Sequence, residues 1–569
     1  MPIYQADNLP ETFPQKFDFI IVGAGSAGCV LANRLSADGQ YSVCLLEAGP
    51  VDNSAAIRIP ALVAALIQWK KYNWKFSSQE GKELNHRQVY NPRGKTLGGS
   101  SAINAMVYTR GHQQDYQRWI SVGANGWGYE DLLPYFRATM KQQRPQLKDD
   151  HFHGVDGELV VSDLNDVQPI SRDFVAAAQQ AGQPYNNDFN GAEQNGVGLY
   201  QATIDNGERC SSAHAFLHPA LTRKNLTVVS NCQVNKVLTE TTADDQLTAT
   251  GVEIQLSRKS GSVRHIAANK EVILSAGAFQ SPQLLMLSGI GDPQELQRHQ
   301  IPCRLALPAV GKHLQEHLDV VVVNRAKHTK IKRSSLSFSP AMLPRLIREA
   351  GKYFRPLKQP RHQGLLSSCL IEAGGFIYSD EQQSAPDLQL MCTPGLFDDH
   401  GRNLLFMMGW GFSMHITLLR PKSRGQIRLR DNNPASAPDI HLGLLTNKED
   451  IQPLIKGIRH ARNIIQSPAL AQYQLQEVFP GNHKTTDEEL TAFIRDKANH
   501  VYHPVSSCRM GTSSQDSVVN DQLQVHHCHG LRIMDASVFP DQISANTNAT
   551  VIAMAARAAD LILQRPVLR

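Results

Sequence analysis

The sequence predicts an α/β fold, with a doubly wound domain at its front and a separate strand-rich region behind it. Three observations predict it. An apolar run, a glycine-rich turn and a helix with small residues follow one another at the start. Residues 386–430 hold alternating or continuous apolar runs of strand length. The chain then closes with one more short apolar strand and a long apolar helix.

Residues 1–15 read as a short arm. Phe17 to Val22 is almost continuously apolar, as a parallel strand buried on both faces must be. Gly23 to Gly28 is the turn, Cys29 to Leu35 the helix, and Tyr41 to Leu46 a second strand ending at Glu47. Residues 94–111 form a long glycine-rich stretch, and residues 141–200 look irregular. Leu226–Val229, Gly251–Leu256 and Glu271–Leu274 read as strands, as do Leu388–Met391 and Ile427–Leu429. Residues 450–466 and 486–498 read as helices, Leu531–Met534 as a strand and Val551–Leu563 as the last helix.

A chain of 569 residues is long for one domain and predicts two, sequential or intertwined. A net charge of +5 is too small to point to nucleic acid, so none is expected as a partner. The start lacks the basic and apolar segments of a secretion signal, and no run reaches the roughly 18–20 apolar residues of a spanning helix. A cytoplasmic location is the expectation. The nine cysteines include no CxxC pair and read as reduced and structural. His526-His527-Cys528-His529 resembles a metal tract, but neighbours on a strand point to opposite faces, so no metal is expected.

Gly23-x-Gly25-x-x-Gly28 lies between strand and helix. Such glycines allow a tight turn, close approach of backbone to a pyrophosphate, and close helix–strand packing. Ser26 and Ala27 lie in this turn, ahead of the helix whose free N–H groups would face the phosphates. Glu47, nineteen residues after Gly28, stands with Ala48 where an acid accepts hydrogen bonds from ribose hydroxyls. The fingerprint predicts a dinucleotide site and does not choose between NAD and FAD.

Two further segments bear on that choice. Gly94-Lys95-Thr96-Leu97-Gly98-Gly99-Ser100-Ser101-Ala102-Ile103-Asn104 is one, and Gly277-Ala278-Phe279-Gln280-Ser281-Pro282 through Ser288-Gly289-Ile290-Gly291 is the other. Both resemble signature segments of the glucose–methanol–choline family of FAD oxidoreductases. The likeness is nearest to the bacterial branch of choline and alkanol dehydrogenases, which shares Arg420-Pro421-Lys422-Ser423-Arg424-Gly425. The resemblance implies a Rossmann-like FAD domain interleaved with an α+β substrate domain built on an antiparallel sheet. It divides the chain into an FAD-binding region at 16–320 with substrate-domain insertions, a mainly substrate-binding region at 321–500, and a return to the FAD domain at 501–569. Gly98, Gly99, Ser100, Asn104, Ala105, Met106 and Val107 would wrap the flavin and pyrophosphate. Val234 would meet adenine, and Asp535, Ala536 and Thr547 would complete the cofactor site. Ile103 stands where some members carry a histidine bonded to the flavin, so the FAD is expected to be non-covalent.

His503-Pro504, followed by Met510-Gly511, resembles the family's catalytic histidine segment, and Asn546, six residues after Pro540, its second catalytic position. The chemistry needs such a pair. Loss of a hydride builds positive charge at carbon unless the hydroxyl proton also leaves, and histidine can accept that proton. A neighbouring amide can donate to the developing alkoxide. The expected reaction is oxidation of a primary alcohol to an aldehyde, with electrons passed to a quinone or another acceptor. The alternatives are an oxidase that makes peroxide from oxygen and a lyase with no net redox change.

Between Arg325 and Arg361 there are eleven Lys and Arg and one acid, Glu349. The apolar residues among them fit one helical face in part, with Pro344, Gly351 and Pro356 as interruptions. Such a stretch can lie on an anionic membrane surface, at the inner face of the cytoplasmic membrane, or cap a substrate cavity.

Overall fold

The computed structural model describes residues 3–148, 150–242, 244, 246–256, 261–355 and 362–568. Two sheets organise it. The first runs in the order Tyr4–Gln5, Leu226–Ser230, Val43–Leu46, Lys16–Val22, Val263–Leu274, Leu247–Gln255, Gln233–Thr241. Its left half is parallel, and Leu531–Ile533 extends that parallel set against Val263–Leu274. The chain goes from Lys16–Val22 to Val43–Leu46 on one side and returns much later with Val263–Leu274 on the other. That is a switch point, and the crevice beyond its carboxyl end is where ligands bind in sheets of this kind. The helix Ser26–Leu35 packs against the last helix, Asn548–Ile562.

The second sheet is antiparallel, in the order Leu475–Phe479, Leu318–Ala326, Gly411–Leu418, Leu388–Thr393, Ala373–Ile377, Gly196–Leu199. Ile451–Ile465 and Pro169–Gln180 pack against it. Asn499–His500 pairs with Leu318 and Asp319, so this sheet delivers the chain directly to His503.

Several elements differ from the sequence reading. The arm at the start is no free extension: Tyr4–Gln5 adds an edge strand beside Leu226–Ser230. The stretch read as irregular contains the helix Pro169–Gln180, whose proline occupies the first turn, where no N–H bond is lost. Pro344 does the same for Leu343–Phe354, and Gly351 is carried within that helix, so neither interrupts it. Pro356 lies outside the described residues.

Candidate active site

A cavity of about 710 Å³ opens between the two sheets. Its wall takes in every residue named above for the cofactor and for catalysis except Gly28 and Gly98. Those two act from behind it. A Cβ on Gly28 would stand 1.9 Å from the Gly23 carbonyl oxygen, so only glycine lets the helix close on the strand. Gly98 adopts φ 86°, in the left-handed region, and turns the loop so that Gly99 lies against Gly25, where a Cβ on Gly99 would come within 2.7 Å of Gly25 Cα. The two glycine-rich segments, 74 residues apart from Gly25 to Gly99, thus form one cradle of bare backbone.

The residues of this cradle fit a dinucleotide. No side chain caps the Ser26–Leu35 helix, so its first N–H groups are free to meet phosphate. Glu47 is buried and accepts hydrogen bonds from Ala24 N–H (3.0 Å) and Gly49 N–H (2.8 Å). Burial pushes its carboxyl up to about 7. Asp535 accepts from Gly277 N–H (2.8 Å) and Ser281 Oγ (2.6 Å), joining the second signature segment to the return strand. Burial raises its carboxyl too. Ser26 Oγ donates to Asn548 Oδ1 at 2.6 Å, which pins the first helix to the last. Asn104 Oδ1 accepts from Met106 N–H (3.1 Å) and from Arg209 Nη1 (2.9 Å).

At the other end of the cavity His503 and Asn546 stand together, Nε2 to Nδ2, at 3.2 Å. The amide is oriented by donors at its oxygen: Thr109 Oγ1 at 2.8 Å and Gln389 Nε2 at 3.3 Å both reach Oδ1. Its NH₂ group must therefore face the histidine. The imidazole is oriented from behind by His317. His317 Nε2 lies 2.9 Å from the Ile543 carbonyl oxygen, which can only accept, so that nitrogen carries a proton. Burial holds His317 below the usual histidine range, which leaves its Nδ1 bare. His503 Nδ1, at 2.9 Å, must then be the donor. The result is a single tautomer of His503, with a lone pair on Nε2 facing the cavity. Burial, then His317 and Arg93, hold His503 itself well below its ordinary value. Glu316 anchors the loop by accepting from His503 N–H (2.6 Å) and His317 N–H (3.0 Å), and it lies 3.1 Å from His500 Nδ1.

Sequence reading did not find His317, Glu316, Thr109 or Gln389. Thr109 lies in the glycine-rich stretch and Gln389 in an expected strand, but nothing local marks either as polar support. A polar run, Gln315-Glu316-His317, directly before the apolar strand Leu318–Ala326 was the available signal for the other two.

The family models of the GMC oxidoreductases match residues 17–319 and 421–555. The chain belongs to the GMC oxidoreductase family. It is 43% identical over 549 residues to an alcohol dehydrogenase [acceptor] of Pseudomonas putida, covering 96% of each chain. It is 39% identical over 561 residues to the mitochondrial choline dehydrogenase of Homo sapiens, covering 97% of this chain and 91% of that one. Among solved structures, a formate oxidase of Aspergillus oryzae superposes with a TM-score of 0.86 at 26% identity, over 97% of this chain and 98% of that one. Pyridoxine 4-oxidase from Mesorbium loti gives 0.82 at 27%, over 96% and 99%. As a GMC oxidoreductase the protein is an FAD enzyme acting on CH–OH donors.

Proposed function

We propose that this GMC oxidoreductase oxidises an uncharged primary alcohol to the aldehyde and passes the electrons to an acceptor other than NAD. The observation that carries this reading is the bare Nε2 of His503 set 3.2 Å from the amide of Asn546. An alcohol hydroxyl placed between them gives its proton to Nε2 and receives a hydrogen bond from Nδ2 as negative charge grows on oxygen. FAD, when bound, supplies the hydride acceptor. Gly23, Gly25, Ser26, Ala27, Glu47, Ala48, Gly99, Ser100, Asn104 to Val107, Val234, Asp535, Ala536 and Thr547 hold it, with Gly28 and Gly98 shaping the cradle. The binding is non-covalent, because Ile103 offers no group to bond to the flavin. The FAD domain comprises 16–320, with substrate-domain insertions that include Pro169–Gln180 and Gly196–Leu199, and 501–569; the substrate domain is chiefly 321–500.

The substrate is uncharged because the carboxylates that line the cavity on the substrate side, Asp319, Asp398 and Asp399, are already engaged, Asp398 by Lys497 Nζ at 3.1 Å and Asp399 by Arg402 Nη2 at 2.6 Å. Asp319 lines the cavity, but its Oδ2 is 2.8 Å from His415 Nδ1 and its Oδ1 accepts from Thr417 Oγ1 at 2.9 Å. Around it stand Leu336, Met391, Leu396 and Phe397, which suit an aliphatic or aromatic group. The test is the visible spectrum under anaerobic conditions, with alkanols, benzyl alcohol and choline added in turn. Neutral primary alcohols should bleach the flavin band and choline should not; a band that only choline bleaches would overturn the substrate class. Readmitting air decides between oxygen and another acceptor, an alternative raised by the oxidases among the solved relatives.

The pH dependence follows from the site. A base held below its usual value stays neutral, and active, to lower pH. kcat/KM should therefore be flat above about pH 7 and fall only below the ordinary histidine value of about 6.5. An acid limb centred above 7 would contradict the environment found for His503.

The acceptor is a membrane quinone, and the enzyme works bound to the membrane surface. No helix among the described residues is long and apolar enough to cross a membrane. The helix Leu343–Phe354 instead exposes Leu343, Ile347 (65%) and Phe354 beside Arg348 and Lys352. Leu404, Leu405 and Met408 are exposed as well. Leu346 and Met407, from these two segments, line the cavity, as do Phe338 and Met342 just before the helix. An apolar face ringed by basic groups suits anionic lipid. Co-sedimentation with phosphatidylglycerol vesicles, and its loss in Ile347→Glu, is the expected result; equal recovery in the supernatant with and without those vesicles would refute it.

A further inference from the structure

Arg209 sits behind the first signature segment and has no assigned role. It is only 3% exposed. Its Nε donates to the Ile57 carbonyl oxygen at 2.9 Å. Its Nη1 donates to the carbonyl oxygens of Asn104 (2.6 Å) and Ser101 (3.3 Å), and to Asn104 Oδ1. Nη2 meets no acceptor. No carboxylate among the described residues pairs with it. Of the other buried arginines, Arg532 meets Glu271 at 2.6 and 3.0 Å, while Arg110 and Arg557 stand over aromatic rings. Burial draws the Arg209 guanidinium down only to about 9, so at neutral pH it remains a cation.

A buried, unpaired charge is costly, and a chain keeps one where something else offsets it. The groups it holds say where that offset lies. Ser101 and Asn104 line the cavity that receives FAD, directly in front of the guanidinium. A hydride brings two electrons and one proton, so each turnover adds one negative charge to the FAD site while the hydroxyl proton stays with the base. In a region of low dielectric that charge and the guanidinium attract each other strongly across one layer of backbone.

We propose that Arg209 is a positioning residue for FAD, whose buried, unpaired guanidinium fixes the Ser101–Asn104 turn and supplies the positive charge that favours the anionic, reduced flavin. The proposal rests on the family's cofactor and is independent of which alcohol is oxidised.

The holoenzyme tests it without turnover. Sulfite adds to oxidised flavin and leaves a negative charge on the ring, so its affinity reads nearby positive charge. In Arg209→Met the sulfite Kd should rise about tenfold and the flavin midpoint potential should fall by the equivalent ~30 mV of a two-electron couple. Arg209→Lys keeps the charge and should retain most of the wild-type affinity. A Met variant that holds FAD with unchanged Kd and potential overturns the proposal, and so does a Lys variant as weak as the Met one, since hydrogen bonding alone would then explain the effect. Should the Met variant fail to retain FAD, Cys369→Asp offers a carboxylate to neutralise Arg209 in situ, because a negative charge at position 369 would act on the guanidinium. It should weaken sulfite binding in the same way, and an unchanged Kd there also overturns the proposal.

Discussion

Replacing His503 with Ala should slow anaerobic flavin reduction by about two to four orders of magnitude at saturating alcohol, the contribution of a well-placed general base. The measurement is a single-turnover decay of the visible flavin band. The size follows from the tautomer. With His317 Nε2 committed to Ile543, His503 has one lone pair, on the side of Asn546, and no nearby group can replace it. Glu316 serves the backbone N–H of His503, and Asp319 is held by His415 and Thr417. The acid limb of kcat/KM should vanish in the same variant. Reduction at the wild-type rate would remove His503 from the chemistry, whatever else remained intact.

Gly28→Ala should yield protein that purifies without a flavin band and melts well below the wild type. The added methyl meets the Gly23 carbonyl oxygen at 1.9 Å and its carbon at 3.1 Å. Both are backbone atoms of the same turn, so the helix must move away from the strand, and the phosphate cradle opens. Overpacking of this kind costs ~3 kcal/mol or more where the obstacle cannot rotate aside. Gly351→Ala is the matching control. Nothing lies within 4 Å of a Cβ there, and the residue is helical, so the exchange should stabilise by about 0.5–1 kcal/mol. The ratio of flavin to protein absorbance, with thermal melts of both variants, checks the pair. A Gly28→Ala protein that retained stoichiometric FAD would show the close packing to be dispensable.

What could be read from the sequence was whatever depends on neighbours along the chain. The strand Lys16–Val22, the turn after it and Glu47 are fixed by spacing within one βαβ unit, and the structure places them as the spacing requires. The proposed catalytic pair, His503 and Asn546, was reached through resemblance of short motifs. Its support could not be reached that way. His317, Thr109 and Gln389 come from three separate parts of the chain, and each matters only through its distance to His503 or Asn546. The basic segment shows the opposite failure. Pro344 and Gly351 carry low helix propensity, yet one stands at the first turn and the other fits the helix without strain, so their position overrode their type.

The bond between Ser26 and Asn548 spans 522 residues. At a synthesis rate of about 5–20 residues per second, the fingerprint helix waits roughly 30–100 s for the partner that pins it. Over that interval the nascent chain has a strand, Lys16–Val22, whose neighbour Val263–Leu274 has only part of its own pairing, since Leu531–Ile533 is still to come. FAD capture is therefore an event at the end of translation. Ribosome-bound chains halted before the last helix should expose apolar sheet edges to chaperones and carry no cofactor, so FAD supply in the cell acts on the finished polypeptide.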